Sequence, residues 1–514
     1  MAHLGSGRRR ALAVPVGLAL TASLAFLPTV AASAAPRGNT AETAAASKAE
    51  TTGPKLSYVA NLNSYATVKA AKKAIERAGG TVVTSYEQIG VIVAHSQNPD
   101  FAKTLRANRG LFVSVGATRT APLQTVQTTE EGTTQQLSAA DAAKATAVAQ
   151  EGQEPLEPNQ WDLRAIKADQ AHKINDGSRN VTVGVIDTGV DDTHPDLAPN
   201  FSKEQSANCV GGVADTTDGA WRPYPDGSDH GTHVAGTIAA ARNGIGVSGI
   251  APGVKVAGIK VSEPGTSLFF TEAVVCGFMF AAEKGIEVTN NSYYVDPWMF
   301  NCKTDDDQKA LVEALTRAAK YAERKGVLNV AAAGNENWDL SADSIVDDTS
   351  PDDATPVPRT IDPKVCLDLP TQLPGVVTVS ATGDKGFRSY YSSYGLGVVD
   401  VAAPGGDKWQ VPATPDANGR VLSTLPGGGY GYKQGTSMAT PHVAGVAALL
   451  KSAHPSATPS QLQAMLKAQA TKTACPTQIY DATGALINAT TCQSKWGQTG
   501  YYGYGVVDAL KAVK

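Results

Sequence analysis

Four short strings hold the residues best suited to chemistry. Asp187 lies in VIDTGVDDTHPDL (185–197), His230 in DHGTHVAGTIAA (229–240), Asn335 in AAAGNEN (331–337) and Ser437 in GTSMATPHVAG (435–445). A serine hydroxyl is a poor nucleophile until a base takes its proton. Histidine has a suitable pKa, and a carboxylate can fix its tautomer and stabilise the imidazolium that forms. The carbonyl under attack becomes an oxyanion and needs donors at its final position. The Asn335 amide and the Ser437 backbone N–H, at a helix start, are the candidates. Taken singly, each residue has a plainer reading, and a serine before a helix is usually a cap. Together and in the order Asp, His, Ser, they match a known triad order.

Such residues need a scaffold that brings distant strings together. The runs 181–187, 254–261, 286–293, 327–334 and 375–382 are apolar and read as strands. Helical stretches at 232–242, 271–284, 308–325 and 438–454 fall between or after them. Strands apolar on both faces and separated by helices predict a parallel sheet covered on both sides. Sites in such sheets lie at the carboxyl ends of strands. Asp187 ends a strand, Asn335 just follows one, and His230 and Ser437 open helices. Pro441 is then expected in the first turn of its helix, where proline costs little.

These strings resemble those of the subtilisin-like serine peptidases, the subtilases, from about Asn159 to the C-terminus. The resemblance implies a three-layer subtilisin-like α/β domain (159–514), with Asp187, His230 and Ser437 as triad and Asn335 in the oxyanion hole. It implies a polypeptide substrate lying as an extended strand between 265–269 and 292–294, with Ala333 and Gly334 helping to wall the pocket. Ser292 precedes Tyr293 and Tyr294 where the family commonly has Leu-Gly, so bulk beside the peptide puts broad specificity in doubt. His233 and His442 are expected to bond within their helices, and His194 to belong to a turn. The chemistry requires no cofactor. The family's calcium loop after the histidine helix is not carried over, because ARNGIGVSGIAP (241–252) is about one residue short. Structural calcium stays open at the Asp-rich run 338–353, as do a preference for basic substrates and a plain solvated loop; the metal ligands are unknown.

The rest of the chain sets the context. Its 514 residues are 42% hydrophobic with a net charge of −4, which points away from nucleic acid and anionic membranes. Arg8, Arg9 and Arg10, an apolar run from Ala11 to Leu27, and Ala32-Ser33-Ala34 read as a signal peptide over 1–34. The paired arginines leave a twin-arginine route open. A secreted, extracellular monomer is expected, free of the membrane once the signal is removed. Residues 55–123 read as βαββαβ, similar in pattern and position to a subtilisin-type inhibitory propeptide, which would be the enzyme's own partner. The run 124–158 lacks apolar period and reads as a linker. Six cysteines in a secreted chain favour disulfides, with Cys475–Cys492 the most local pairing. Three functions remain in view: a secreted endopeptidase made as a zymogen, a processing peptidase for one partner, and a binding protein on a dead peptidase fold.

Overall fold

The structure, a computed structural model, describes residues 53–122, 133–225 and 227–514. The signal-peptide reading of 1–34 lies outside them. All described residues fall within one compact unit, Thr51–Lys514.

The N-terminal part runs β1 (Leu56–Leu62), α1 (Val68–Arg77), β2 (Gly80–Tyr86), β3 (Val91–Ser96), α2 (Phe101–Arg106) and β4 (Phe112–Ala117). This is the βαββαβ order expected. Thr67 starts α1 by accepting the Ala70 N–H, and Gly79, at φ 83°, lets the chain turn into β2. The antiparallel sheet has the order β2-β3-β1-β4. Ala71 and Ile75 of α1 and Phe101 and Leu105 of α2 cover one face. Val59 and Val91 point the other way, into a cluster shared with the helices of the larger domain.

That larger domain is built on seven parallel strands. They are β5 (Thr182–Asp187), β6 (Ala207–Asn208), β7 (Lys255–Lys260), β8 (Val288–Asn291), β9 (Leu328–Ala332), β10 (Val377–Thr382) and β11 (Val401–Pro404). The spatial order is β11-β10-β9-β8-β5-β7-β6. The chain builds one side of β5 with β7 and β6, then crosses to β8 and builds outward to the other edge. The order therefore reverses between β5 and β8, and a crevice opens at the carboxyl ends of strands at such a point. Helices α3 (His230–Ala239) and α6 (Thr436–Ala453) pack in one cluster with Val183 and Val185 of β5. Helices α4 (Thr271–Glu283) and α5 (Asp306–Arg324) pack in the other with Ile186.

The stretch 124–158 departs from the linker expected. Within its described residues, Gln135–Gln136 pairs with the strand Gly429–Lys433, and Ala139–Val148 is helical. Ser138 caps that helix, and Ala145 is fully buried against Leu156 and Leu422. Alanine buries too little surface to stand out as an apolar stripe, so the pattern hid a packed helix. The six cysteines pair as Cys209–Cys276, Cys302–Cys366 and Cys475–Cys492, the last as expected. No described helix is long and apolar enough to cross a membrane.

Candidate active site

Asp187 is the last residue of β5 and is fully buried. Its Oδ1 accepts the Thr188 N–H at 2.7 Å and lies 2.8 Å from His230 Nδ1. A carboxylate oxygen can only accept, so the bond assigns the hydrogen to Nδ1 and leaves the Nε2 lone pair to act as a base. His230 is the first residue of α3, and the packing of that helix start explains its neighbour. A Cβ on Gly231 would come within 2.3 Å of the Gly189 carbonyl, so only glycine lets α3 approach the Asp-Thr-Gly turn this closely. The Gly231 N–H in turn donates to Thr188 Oγ1 at 3.0 Å.

Ser437 is the second residue of α6, in the first turn, where N–H groups have no helical carbonyl to bond. Its Oγ donates to the Ser292 carbonyl at 3.2 Å. The helix begins at Thr436, two residues earlier than expected, which makes Pro441 its sixth residue and not part of the first turn. Proline cannot donate to the carbonyl four residues back, that of Ser437. Ser292 Oγ replaces it, donating to the Ser437 carbonyl at 2.9 Å. Asn335 follows β9. Its Oδ1 accepts from the Thr436 N–H at 2.8 Å and from Thr436 Oγ1 at 2.9 Å. An N–H needs an acceptor, so the carboxamide oxygen is committed to Thr436 and its NH₂ is the end left for a ligand.

His230, Asn335 and Ser437 line one cavity of about 430 Å³ with Ser292, Tyr293, Tyr294 and Gly334. Ala332 lines it too. Ala333, expected there, is buried with its N–H bonded to Val379, so the pleat turns it away from the cavity. The Tyr293 ring stacks on Phe269 at 4.7 Å between centroids, and its hydroxyl donates to Asn291 Oδ1. The Tyr294 hydroxyl reaches Asp352 Oδ2 at 2.7 Å.

The sequence reading missed the acid lining. Asp296, Glu336 and Asp368 all face the cavity. Burial pushes the Glu336 carboxyl up to about 7. Burial, and then the neighbouring Glu336, raise Asp368 well above the usual range. Glu336 stands next to Asn335 in sequence and was open to notice. Asp368 arrives from a loop beside the Cys302–Cys366 disulfide and had no local signal. Lys433 also lines the cavity and pairs with Asp229 at 2.7 Å.

The remaining expectations resolve differently. His442 Nδ1 bonds the Met438 carbonyl within its own helix, at 2.7 Å. His233 instead contacts the Val421 and Gly431 carbonyls of two neighbouring strands, and burial lowers its pKa to about 3. His194 bonds the Asp196 N–H two residues on, as a turn residue would. In the Asp-rich run, Asp347 takes Arg359, Asp352 takes Tyr294 and Asp353 takes the Thr120 N–H. Among the described residues no group of three acidic, His or Cys side chains is arranged to hold a metal.

A family model described as the subtilase family matches residues 178–505. The chain belongs to the subtilase family. Among its relatives, subtilisin E of Bacillus subtilis (strain 168) is 34% identical over 311 residues, covering 60% of this chain and 66% of that one. The chain thus spans slightly under two thirds of that relative's length. Subtilisin Savinase of Lederbergia lenta is 33% identical, over 64% of this chain and 96% of its own. The epidermin leader peptide processing serine protease of Staphylococcus aureus shares the fold, with a TM-score of 0.63, 23% identity and coverage of 90% of this chain and 98% of that one. That likeness of fold extends beyond the 178–505 match of this subtilase.

Proposed function

We propose that this subtilase is a secreted serine endopeptidase with Asp187, His230 and Ser437 as its triad, made as a zymogen that cuts itself. The observation that carries the reading is the 2.8 Å bond from Asp187 to His230 Nδ1, with His230, Ser437 and Asn335 on one cavity. His230 Nε2 takes the Ser437 proton as Oγ attacks the peptide carbonyl, then returns it to the leaving amine. Asn335 Nδ2 and the Ser437 N–H hold the oxyanion, and water releases the acyl group from Ser437. Residues 55–123 act as the inhibitory propeptide. In support, β4 leads directly into Thr118–Ala121, whose N–H groups at Thr120 and Ala121 donate to Asp353 Oδ2 at 2.7 and 3.3 Å. The first cut falls near 117–124, and a second trim falls before Asn159.

Expression of the Ser437→Ala precursor, free of other proteases, tests both parts. It should fold, remain unprocessed and hydrolyse no peptide beyond a trace left by the oxyanion hole. Unassisted maturation of this variant would point to another nucleophile. The stacking of Tyr293 on Phe269 and the tie from Tyr294 to Asp352 favour a narrower reading, a processing peptidase for one partner. A peptide library separates the two, giving many cuts or one.

A further inference from the structure

Away from the triad, one arginine is buried between two glutamates. Arg119 Nη2 donates to Glu263 Oε1 and Glu272 Oε1, both at 2.7 Å. The three side chains are 4%, 8% and 1% exposed. The guanidinium also lies 3.9 Å from the centroid of the Phe270 ring. Arg119 belongs to the stretch leaving β4. The two glutamates and the phenylalanine belong to the larger domain, on the loop 263–270 and the first turn of α4.

That loop is a wall of the cavity holding Ser437, which it meets at Ser267 and Phe269. Glu263 and Glu272 sit at its two ends, beyond the cavity. We propose that Glu263, Glu272 and Phe270 form a second subsite, which takes an arginine side chain of the polypeptide substrate N-terminal to the bond that is cut, and which Arg119 fills in the precursor. The inference rests on the endopeptidase reading above.

Three features make this a binding site and not only an internal clasp. Two carboxylates bonded to one guanidinium repel each other once it leaves, so the pair favours another cation whenever Arg119 is absent. Arg119 bonds only Oε1 of each glutamate, so a guanidinium in a different pose has further carboxylate oxygens to reach. Both bonds come from Nη2, so it is the flat face of the guanidinium against the Phe270 ring that suits arginine better than lysine. Asp353, holding the Thr120 and Ala121 N–H groups, fixes the backbone just past Arg119 and aims the side chain inward.

The test is a cleavage profile of the mature enzyme on a mixture of peptides from digested cellular protein, read by mass spectrometry. Wild-type enzyme should show arginine enriched at one fixed position N-terminal to the cut, at least about tenfold over citrulline in a matched synthetic pair. Lysine at that position should be enriched less. In Glu263→Gln and in Glu272→Gln the arginine preference at that position should fall towards one, while preferences at other positions stay. Glu263, the more exposed of the two, keeps the test decisive if the fully buried Glu272 variant does not fold. Cuts without arginine enrichment, or enrichment unchanged in Glu263→Gln, would overturn the subsite and leave the endopeptidase reading standing. A wild-type enzyme that cuts nothing would sink that reading and the subsite with it.

Discussion

The Asn335 carboxamide could face the cavity with its oxygen or its nitrogen, and Thr436 decides between them. Two donors on Thr436 hold the oxygen, so Nδ2 is the end left for the cavity. Asn335→Ala should therefore lower kcat by roughly 10²–10³ with little change in KM. A raised KM with kcat intact would make Asn335 a ground-state binder. Glu336 gives a prediction in pH. Its carboxyl, ordinarily near 4.5, is pushed by burial to about 7. The folded state then keeps a proton that the unfolded chain releases between those values. The stability this contributes is full below pH 4.5 and is lost as pH rises through about 7. Glu336→Gln cannot titrate, so its thermal midpoint should fall less over that window, measured in a Ser437→Ala background to prevent self-digestion. Asp368 remains, so the slope should be reduced and not abolished. Equal slopes would show that Glu336 does not titrate there. Asp187, His230, Asn335 and Ser437 were legible in the sequence because each lies in a string whose glycines and small residues serve local packing. Asp368 was not, because only the tertiary fold brings it to the cavity.

At the scale of elements, the buried strands were plain, since runs such as VTVGVID have no polar face to confuse the period. Helix starts were harder. The helix carrying Ser437 begins two residues before the expected point, because Gly435 and Thr436 are poor signals of helix while the Thr436 contacts to Asn335 are tertiary. The packed helix at Ala139–Val148 was invisible for a different reason: it buries mainly one alanine. Disulfides act at this same scale, by limiting the unfolded chain. Cys209–Cys276 spans 67 residues and Cys475–Cys492 spans 17. Loop-closure entropy predicts that the first contributes more, by about 1 kcal/mol, against a typical total of about 2–4 kcal/mol for either. Replacing each pair by serine and comparing denaturant midpoints checks this. A larger loss from the short C-terminal loop would mean that native packing, and not chain entropy, sets the order.

Across the whole molecule, the N-terminal sheet is held on the larger domain by contacts that have little to do with sequence pattern. Asn61 Nδ2 donates to the Ala310 carbonyl at 2.9 Å, and Arg317 Nη1 reaches the carbonyls of Leu62, Ile89 and Gly90 at 3.0–3.2 Å. Arg106 pairs with Asp306 and Asp307 at the start of α5. Backbone meets backbone at Gly116 of β4, where an added Cβ would sit 2.4 Å from the Asp307 carbonyl oxygen and 2.7 Å from its Cα. Both obstacles are backbone in the first turn of a helix, so neither can swing aside. Gly116→Val should therefore force β4 off α5 while leaving the apolar face under α1 and α2 untouched. If residues 55–123 are the inhibitor, the full-length variant should release active enzyme with a shorter lag after secretion. After the first cut, the wild-type segment should co-elute with the enzyme on gel filtration and the variant segment should not. A variant with the wild-type lag, whose cut segment still co-elutes, would show that this close packing does not restrain the enzyme.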